Sequence, residues 1–162
     1  MSDLIDRIRR QWGQVRPELD TSGTAVIGRV VRLASLIRRD TDDLLARAEL
    51  TRTEFDVLCA VRRNGVLNPG QLSREMLASG AAITKRLDRL SRLDLVSRSA
   101  SARDRRVVLV RLTDKGRAVV DELLPSQLEA ERAALANLSE ADRARLASLL
   151  AAMLQTLEGV SA

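Results

Sequence analysis

The stretch NPGQLSREMLASGAAITKRLDRLSRLDLVSRSASARDRRVVLVRLTDKGR, residues 68–117, decides the fold. Asn68 stands three positions before Gln71, with Pro69 directly after it, the capping-box spacing that opens a helix; Ser79 can cap a second. Val96 to Arg98 and Val107 to Leu112 flank the polar tract Ser99 to Arg106, and the β-branched second run reads as one arm of a hairpin. Two short helices followed by a hairpin describe a helix-turn-helix carrying a wing. Thr113 then caps a long helix with Ala118, Val119, Leu123, Leu124 and Leu128 on its apolar face, and Pro125 is expected to kink it.

Charge concentrates in the same stretch. Residues 68–111 hold ten basic residues against four acidic ones, a surplus of six, whereas the whole chain carries only +5. All the excess therefore lies on the segment read as helix-turn-helix plus hairpin, the footprint of a surface that meets a polyanion. Lys85 and Lys115 are the only lysines, so nearly every cation is a guanidinium, the group that reads phosphate and guanine in bidentate fashion. Trp12 and Phe55 are the only aromatics, too few to stack single-stranded bases, which favours duplex DNA.

At about 100° per residue from Ser79, Ile83, Leu87 and Leu90 share one side, while Ala81, Lys85, Asp88, Arg89 and Arg92 project from the other. The small opening turn Gly80-Ala81-Ala82 allows close approach to a groove. Candidate base or phosphate contacts are Ser79, Ala81, Thr84, Lys85 and Arg89. At the hairpin tip, Arg103, Arg105 and Arg106 surround Asp104, which is expected to hold one guanidinium rigid for a narrow minor groove.

Upstream, Thr51 and Glu54 repeat the capping-box spacing. Before them, Val26, Ile27, Val30, Ala34, Ile37, Leu44 and Leu45 mark a long helix ending near Glu49. Leu4, Ile8, Trp12 and Val15 mark a first helix from Asp3 to Arg16, with Trp12 on its buried stripe. Downstream, Ser139 with Asp142 opens a last helix whose Leu146, Leu149, Leu150, Met153, Leu154 and Leu157 form a stripe that must be buried, most simply across a two-fold axis. The expected organisation is residues 1–50 for dimerisation and a ligand pocket, 51–113 for the DNA-binding lobe, and 114–162 for further dimerisation helices. The fold class is mainly α with a small β-hairpin wing.

Composition removes other classes. The chain has no histidine, no tyrosine and one cysteine, which excludes imidazole-dependent catalysis, His/Cys metal sites and an internal disulfide; no cofactor is expected. Carboxylates such as Glu54 and Asp56 are joined by no nucleophile, metal set or Gly-rich phosphate loop, so no catalytic residue is assigned and an enzyme is not expected. The charged first ten residues are not read as a signal peptide, and the longest near-apolar run, Ala147 to Leu154, is far too short for a membrane span, so a cytoplasmic location is expected.

The run QLSR (71–74), SGAAITKRLDRL (79–90), Leu95-Val96, Asp104-Arg105-Arg106, VRLT (110–113) and Gly116-Arg117 resembles the MarR family of winged helix-turn-helix transcription regulators. The resemblance implies a homodimer on pseudopalindromic duplex DNA, with half-sites about one helical turn, ~34 Å, apart, released by a small ligand. The extra N-terminal helix makes the chain similar to the urate-responsive branch, the HucR- and PecS-like regulators. That similarity implies four ligand-binding residues: Trp12, Asp56, Arg86 and Arg98. Residue chemistry agrees in part, because Asp56 stands among Phe55, Val57, Leu58, Cys59 and Ala60, where a carboxylate needs a cationic partner that Arg86 is placed to supply. Two arginines, one aspartate and a flat indole suit a planar anion such as urate. Citrate- or aconitate-like polyanions, a phenolic ligand, or oxidation at Cys59 are alternative signals, although Cys59 itself reads as a core residue.

Overall fold

The computed structural model describes residues 2–159, with only the backbone of Asp40. Its elements are α1 (Leu4–Val15), α2 (Ser22–Arg47), α3 (Arg52–Asn64), α4 (Pro69–Glu75), α5 (Gly80–Arg92), β1 (Val96–Ala100), β2 (Val108–Leu112), α6 (Asp114–Ala134) and α7 (Glu140–Gly159). This is the mainly helical winged helix-turn-helix that the sequence predicts.

Local capping sets most of these boundaries. The Thr51 hydroxyl accepts from the Glu54 amide and the Glu54 carboxylate accepts from the Thr51 amide, a reciprocal box repeated by Asn68 and Gln71. Ser79 and Thr113 cap α5 and α6 in the simpler one-way form. The box expected at Ser139 is only half present: its hydroxyl accepts from the Asp142 amide at 3.2 Å, and then donates to the Asp142 carboxylate at 2.6 Å. Pro125 lies inside α6 without ending it.

Three of the described helices end in a left-handed residue that is not glycine: Glu49, Leu77 and Asp94, with φ of 56°, 46° and 58°. In each case the next amide reaches back five residues, Leu50 to Leu45, Ala78 to Ser73 and Leu95 to Leu90, so the helix-terminating hydrogen bonds offset the cost of the left-handed backbone.

The antiparallel hairpin pairs Val96 with Leu112 and Ala100 with Val108, and Leu67 adds a bridge to Val110. Phe55, Leu58, Leu72, Ile83, Leu87, Leu90 and Val110 are fully buried between these elements. Val120 of α6 and Leu45 of α2 complete the same core, so the long helices are packed into the lobe that carries the wing.

Trp12 departs from expectation. It is 48% exposed in this chain, because α1 meets α2 near its own N-terminus, where Ile5 seats over Gly28 and Arg29 holds Asp3 and Asp6 at 2.8 Å each. Trp12 lies two helical turns beyond that contact.

Candidate nucleic-acid interface and adjoining cavity

The outer face of α5 presents Ser79, Ala81, Thr84 and Lys85 to solvent. The Ser79 hydroxyl is turned inward as the cap, accepting from the Ala82 amide, and the Thr84 hydroxyl donates to the Gly80 carbonyl at 2.9 Å. Lys85 forms no ion pair among the described residues, so its ammonium faces outward from a surface formed by short side chains.

Arg89 is placed differently from the reading of the helical wheel. Its guanidinium folds back to the carboxylate of Glu54 at 2.5 Å and to the carbonyl of Glu49 at 2.8 Å. The physical reason is Glu54, only 4% exposed, whose buried charge requires a cation. Burial pushes the Glu54 carboxyl up, and hydrogen bonds from the Thr51 amide, Arg89 and the Thr51 hydroxyl more than offset it, leaving Glu54 below the usual carboxylate range.

At the wing tip Arg103, Asp104, Arg105 and Arg106 are all exposed. Asp104 does not grip a guanidinium. Its carboxylate accepts the Arg106 amide at 2.9 Å and its carbonyl accepts the Val107 amide at 2.9 Å, which shapes the turn without a glycine. The three wing guanidiniums have no ion-pair partner among the described residues. Of the ten basic residues in 68–111, Arg89 and Arg98 alone are matched to carboxylates among the described residues, Arg89 to Glu54 and Arg98 to Asp88 at 2.8 Å.

Asp56 is half-buried between two cavities. One, of about 250 Å³, is lined by Arg38, Thr41, Arg52, Gln127 and Glu131; the other, of about 340 Å³, by Cys59, Arg63, Glu75 and Met76. Burial pushes the Asp56 carboxyl up, while Arg52, Arg38, Arg63 and Arg86, in that order, pull it back. It makes no hydrogen bond or ion pair among the described residues.

The structure therefore brings Arg38 and Arg52 to Asp56, and not Trp12 or Arg98; Arg86 acts on it only through its field. Arg52 is the residue that sequence reasoning missed. It opens α3 and spans to the Thr41 hydroxyl, to Asp42 at 3.2 Å and to the Gln127 side chain at 2.8 Å. Its spacing of four from Asp56 was the available signal. Cys59 is buried, and desolvation together with Asp56 pushes its thiol up to about 11, so the unreactive thiol form prevails at neutral pH.

Replacing Asp56 with asparagine is expected to stabilise the chain at neutral pH. A carboxyl whose pKa is raised by folding destabilises the native state above its unfolded value of about 3.9 and not below it, so the gain should vanish as pH falls through about 4. Thermal melts of both proteins from pH 7 to pH 3.5 test this; equal melting temperatures at pH 7 would contradict it.

A model described as the MarR family matches residues 50–108. The HTH-type transcriptional regulator PecS of Dickeya dadantii is 34% identical over 153 residues, covering 93% of this chain and 90% of PecS. The HTH-type transcriptional repressor NicR of Pseudomonas putida is 30% identical, covering 68% of this chain and 70% of NicR. Among solved structures, a cysteine-to-serine mutant of MarR from Escherichia coli complexed with operator DNA superposes with a TM-score of 0.70 at 26% identity, covering 94% of this chain and 99% of that one. Bordetella bronchiseptica BpsR, whose DNA binding is regulated by 6-hydroxynicotinic acid, superposes with a TM-score of 0.70 at 28% identity, covering 79% of this chain and 91% of BpsR. No described helix is long and apolar enough to cross a membrane.

Proposed function

The chain belongs to the MarR family of transcription regulators, and from that premise we propose that it is a repressor that binds duplex operator DNA as a homodimer and lets go when a small anion occupies the cavity beside Asp56. It is a regulator and not an enzyme; its chemistry is recognition.

One observation carries the DNA reading. The outward face of α5 and the wing present Lys85, Arg103, Arg105 and Arg106 with no carboxylate partner among the described residues, while Arg89 and Arg98 are paired with Glu54 and Asp88. Free cations at a surface release counterions when they meet phosphate, and that release drives binding. Ala81 and Thr84 would lie against base edges, Ser79 would hold the first turn of α5, and Asp104 would hold the shape of the wing.

Titration against an operator duplex at 50 mM and 200 mM salt is expected to show a steep loss of affinity. Removing Arg103, Arg105 and Arg106 together should weaken binding and lower the salt slope by about 0.9 for each phosphate that these guanidiniums neutralise. A triple variant with the wild-type slope would remove the wing from the interface.

For the ligand, Arg38 and Arg52 supply cationic donors, Asp56 can accept from a ring N–H, and Glu131 in the same wall is a second acceptor. A planar anion with carbonyl acceptors and N–H donors, such as urate, meets both requirements, and the similarity to PecS agrees with the urate-responsive branch. In this reading Trp12 stacks on the ligand while Arg86 and Arg98 share its charge, which requires the site to close, since Asp56 is the one of the four that already faces the cavity. Citrate-like and phenolic ligands are the comparison set. Urate should raise the melting temperature of the wild type and not of the Asp56→Ala variant, which has no acceptor at that position; a rise with citrate alone would replace urate by a polycarboxylate.

A further inference from the structure

Arg89 lies on the helix expected to read DNA, yet both terminal nitrogens of its guanidinium are committed inward. One binds Glu54, a buried carboxylate in the first turn of α3 that also accepts from the Thr51 amide at 2.9 Å and the Thr51 hydroxyl at 2.8 Å. The other binds the carbonyl of Glu49, the left-handed residue that closes α2. A single side chain thus ties α5 to the end of α2 and the start of α3. The next residue after the cap, Arg52, ties the same corner to Thr41 on α2 and Gln127 on α6, and it forms part of the wall of the Asp56 cavity.

We propose that Arg89 is a positioning residue: through Glu54 and Glu49 it fixes the seating of α5, so that Thr84 and Lys85 meet DNA at the productive angle, and the corner it grips is the one a ligand at Arg52 would move. This deepens the regulator reading and rests on it. A phosphate contact by the same guanidinium would strip Glu54 of its cation and leave a buried charge unpaired, which opposes the alternative role.

The test compares wild type, Arg89→Gln, Glu54→Gln, the double variant and Arg89→Lys. Operator affinity is measured across a salt series, and amide hydrogen exchange of α5 is measured without DNA. Each glutamine variant should lose about tenfold in affinity, with the double variant no worse than either single one, as for residues acting as one unit. The salt slope should match wild type, Arg89→Lys should recover part of the affinity by keeping the charge at Glu54, and α5 amides should exchange faster in both glutamine variants.

The proposal is overturned if Arg89→Gln lowers the salt slope by about 0.9, the signature of one phosphate no longer neutralised, while Glu54→Gln leaves affinity unchanged. It is equally overturned if α5 exchange is unaltered in both. A wild-type protein that shows no salt-dependent duplex binding would defeat the regulator reading instead, and the exchange measurement would still decide whether Arg89 anchors the helix.

Discussion

Gly116→Ala is expected to cost about 3 kcal/mol or more and to lower the melting temperature by roughly 6–12 °C for a chain of this size. The reason lies where α6 begins. Thr113 donates from its amide to the Leu95 carbonyl at 3.1 Å and from its hydroxyl to the Asp94 carbonyl at 2.6 Å, while Lys115 donates to the Leu93 carbonyl at 2.9 Å. These bonds draw the first turn of α6 onto the chain leaving α5. Gly116, buried in that turn, has no room for a side chain: a Cβ would lie inside the envelope of the Leu95 carbonyl oxygen and 2.9 Å from its carbon. Leu95 and Val96 are both buried, and Val96 is paired with Leu112, so the backbone cannot retreat. Gly13→Ala is the control, since nothing lies within 4 Å of its Cβ position; it should be neutral or slightly stabilising. Thermal melts followed by circular dichroism decide, and an unchanged melting temperature for Gly116→Ala would mean that the two segments do not meet as described.

What was legible in the sequence is what short spacing controls. The boxes Thr51/Glu54 and Asn68/Gln71 and the caps Ser79 and Thr113 each join residues three positions apart, so the chain's local text contains both partners, and the helices start where they predict. The hairpin was readable from the local strand propensity of Val107 to Leu112, although its second strand begins one residue later, at Val108.

Long-range choices were hidden. Glu54 had already been given a role as a capping residue, and nothing local reveals that the same carboxylate would claim Arg89, 35 positions away, ahead of any groove contact. Asp104 could pair with a guanidinium or with a backbone amide; the tight turn at the wing tip puts the Arg106 amide nearer, and the amide wins. Around Asp56, the apolar neighbours showed that the carboxylate would be at least partly buried, but which arginines stand beside it depends on how α2 and α6 cross α3, a tertiary fact that brings in Arg38 and Arg52. Trp12 is left open within its own chain because an apolar stripe shows only that a face seeks cover, not which part of it the same chain supplies.

The helix α7 buries none of its side chains within the chain, although Leu149 and Leu154 lie on one apolar stripe and are 58% and 56% exposed. The helix α2 likewise exposes Val26, Ile27, Val31 and Leu33, beside an apolar groove of about 690 Å³ that it shares with α1. Apolar surface on this scale, at both ends of one chain, calls for a covering partner, and a second copy is the partner the homodimer reading supplies. The double substitution Leu149→Glu with Leu154→Glu is therefore expected to convert the dimer to monomer. Four leucines per dimer would lose burial worth on the order of 6 kcal/mol, before the penalty for placing carboxylates in their stead. Because two half-sites must be engaged together, operator affinity should fall by at least about 100-fold, even though the substituted residues lie outside the expected DNA surface. Sedimentation velocity and operator titration on the same samples test both halves of the argument. A variant that remains dimeric would place the interface elsewhere, and a monomeric variant that binds the full operator as tightly as wild type would separate recognition from assembly.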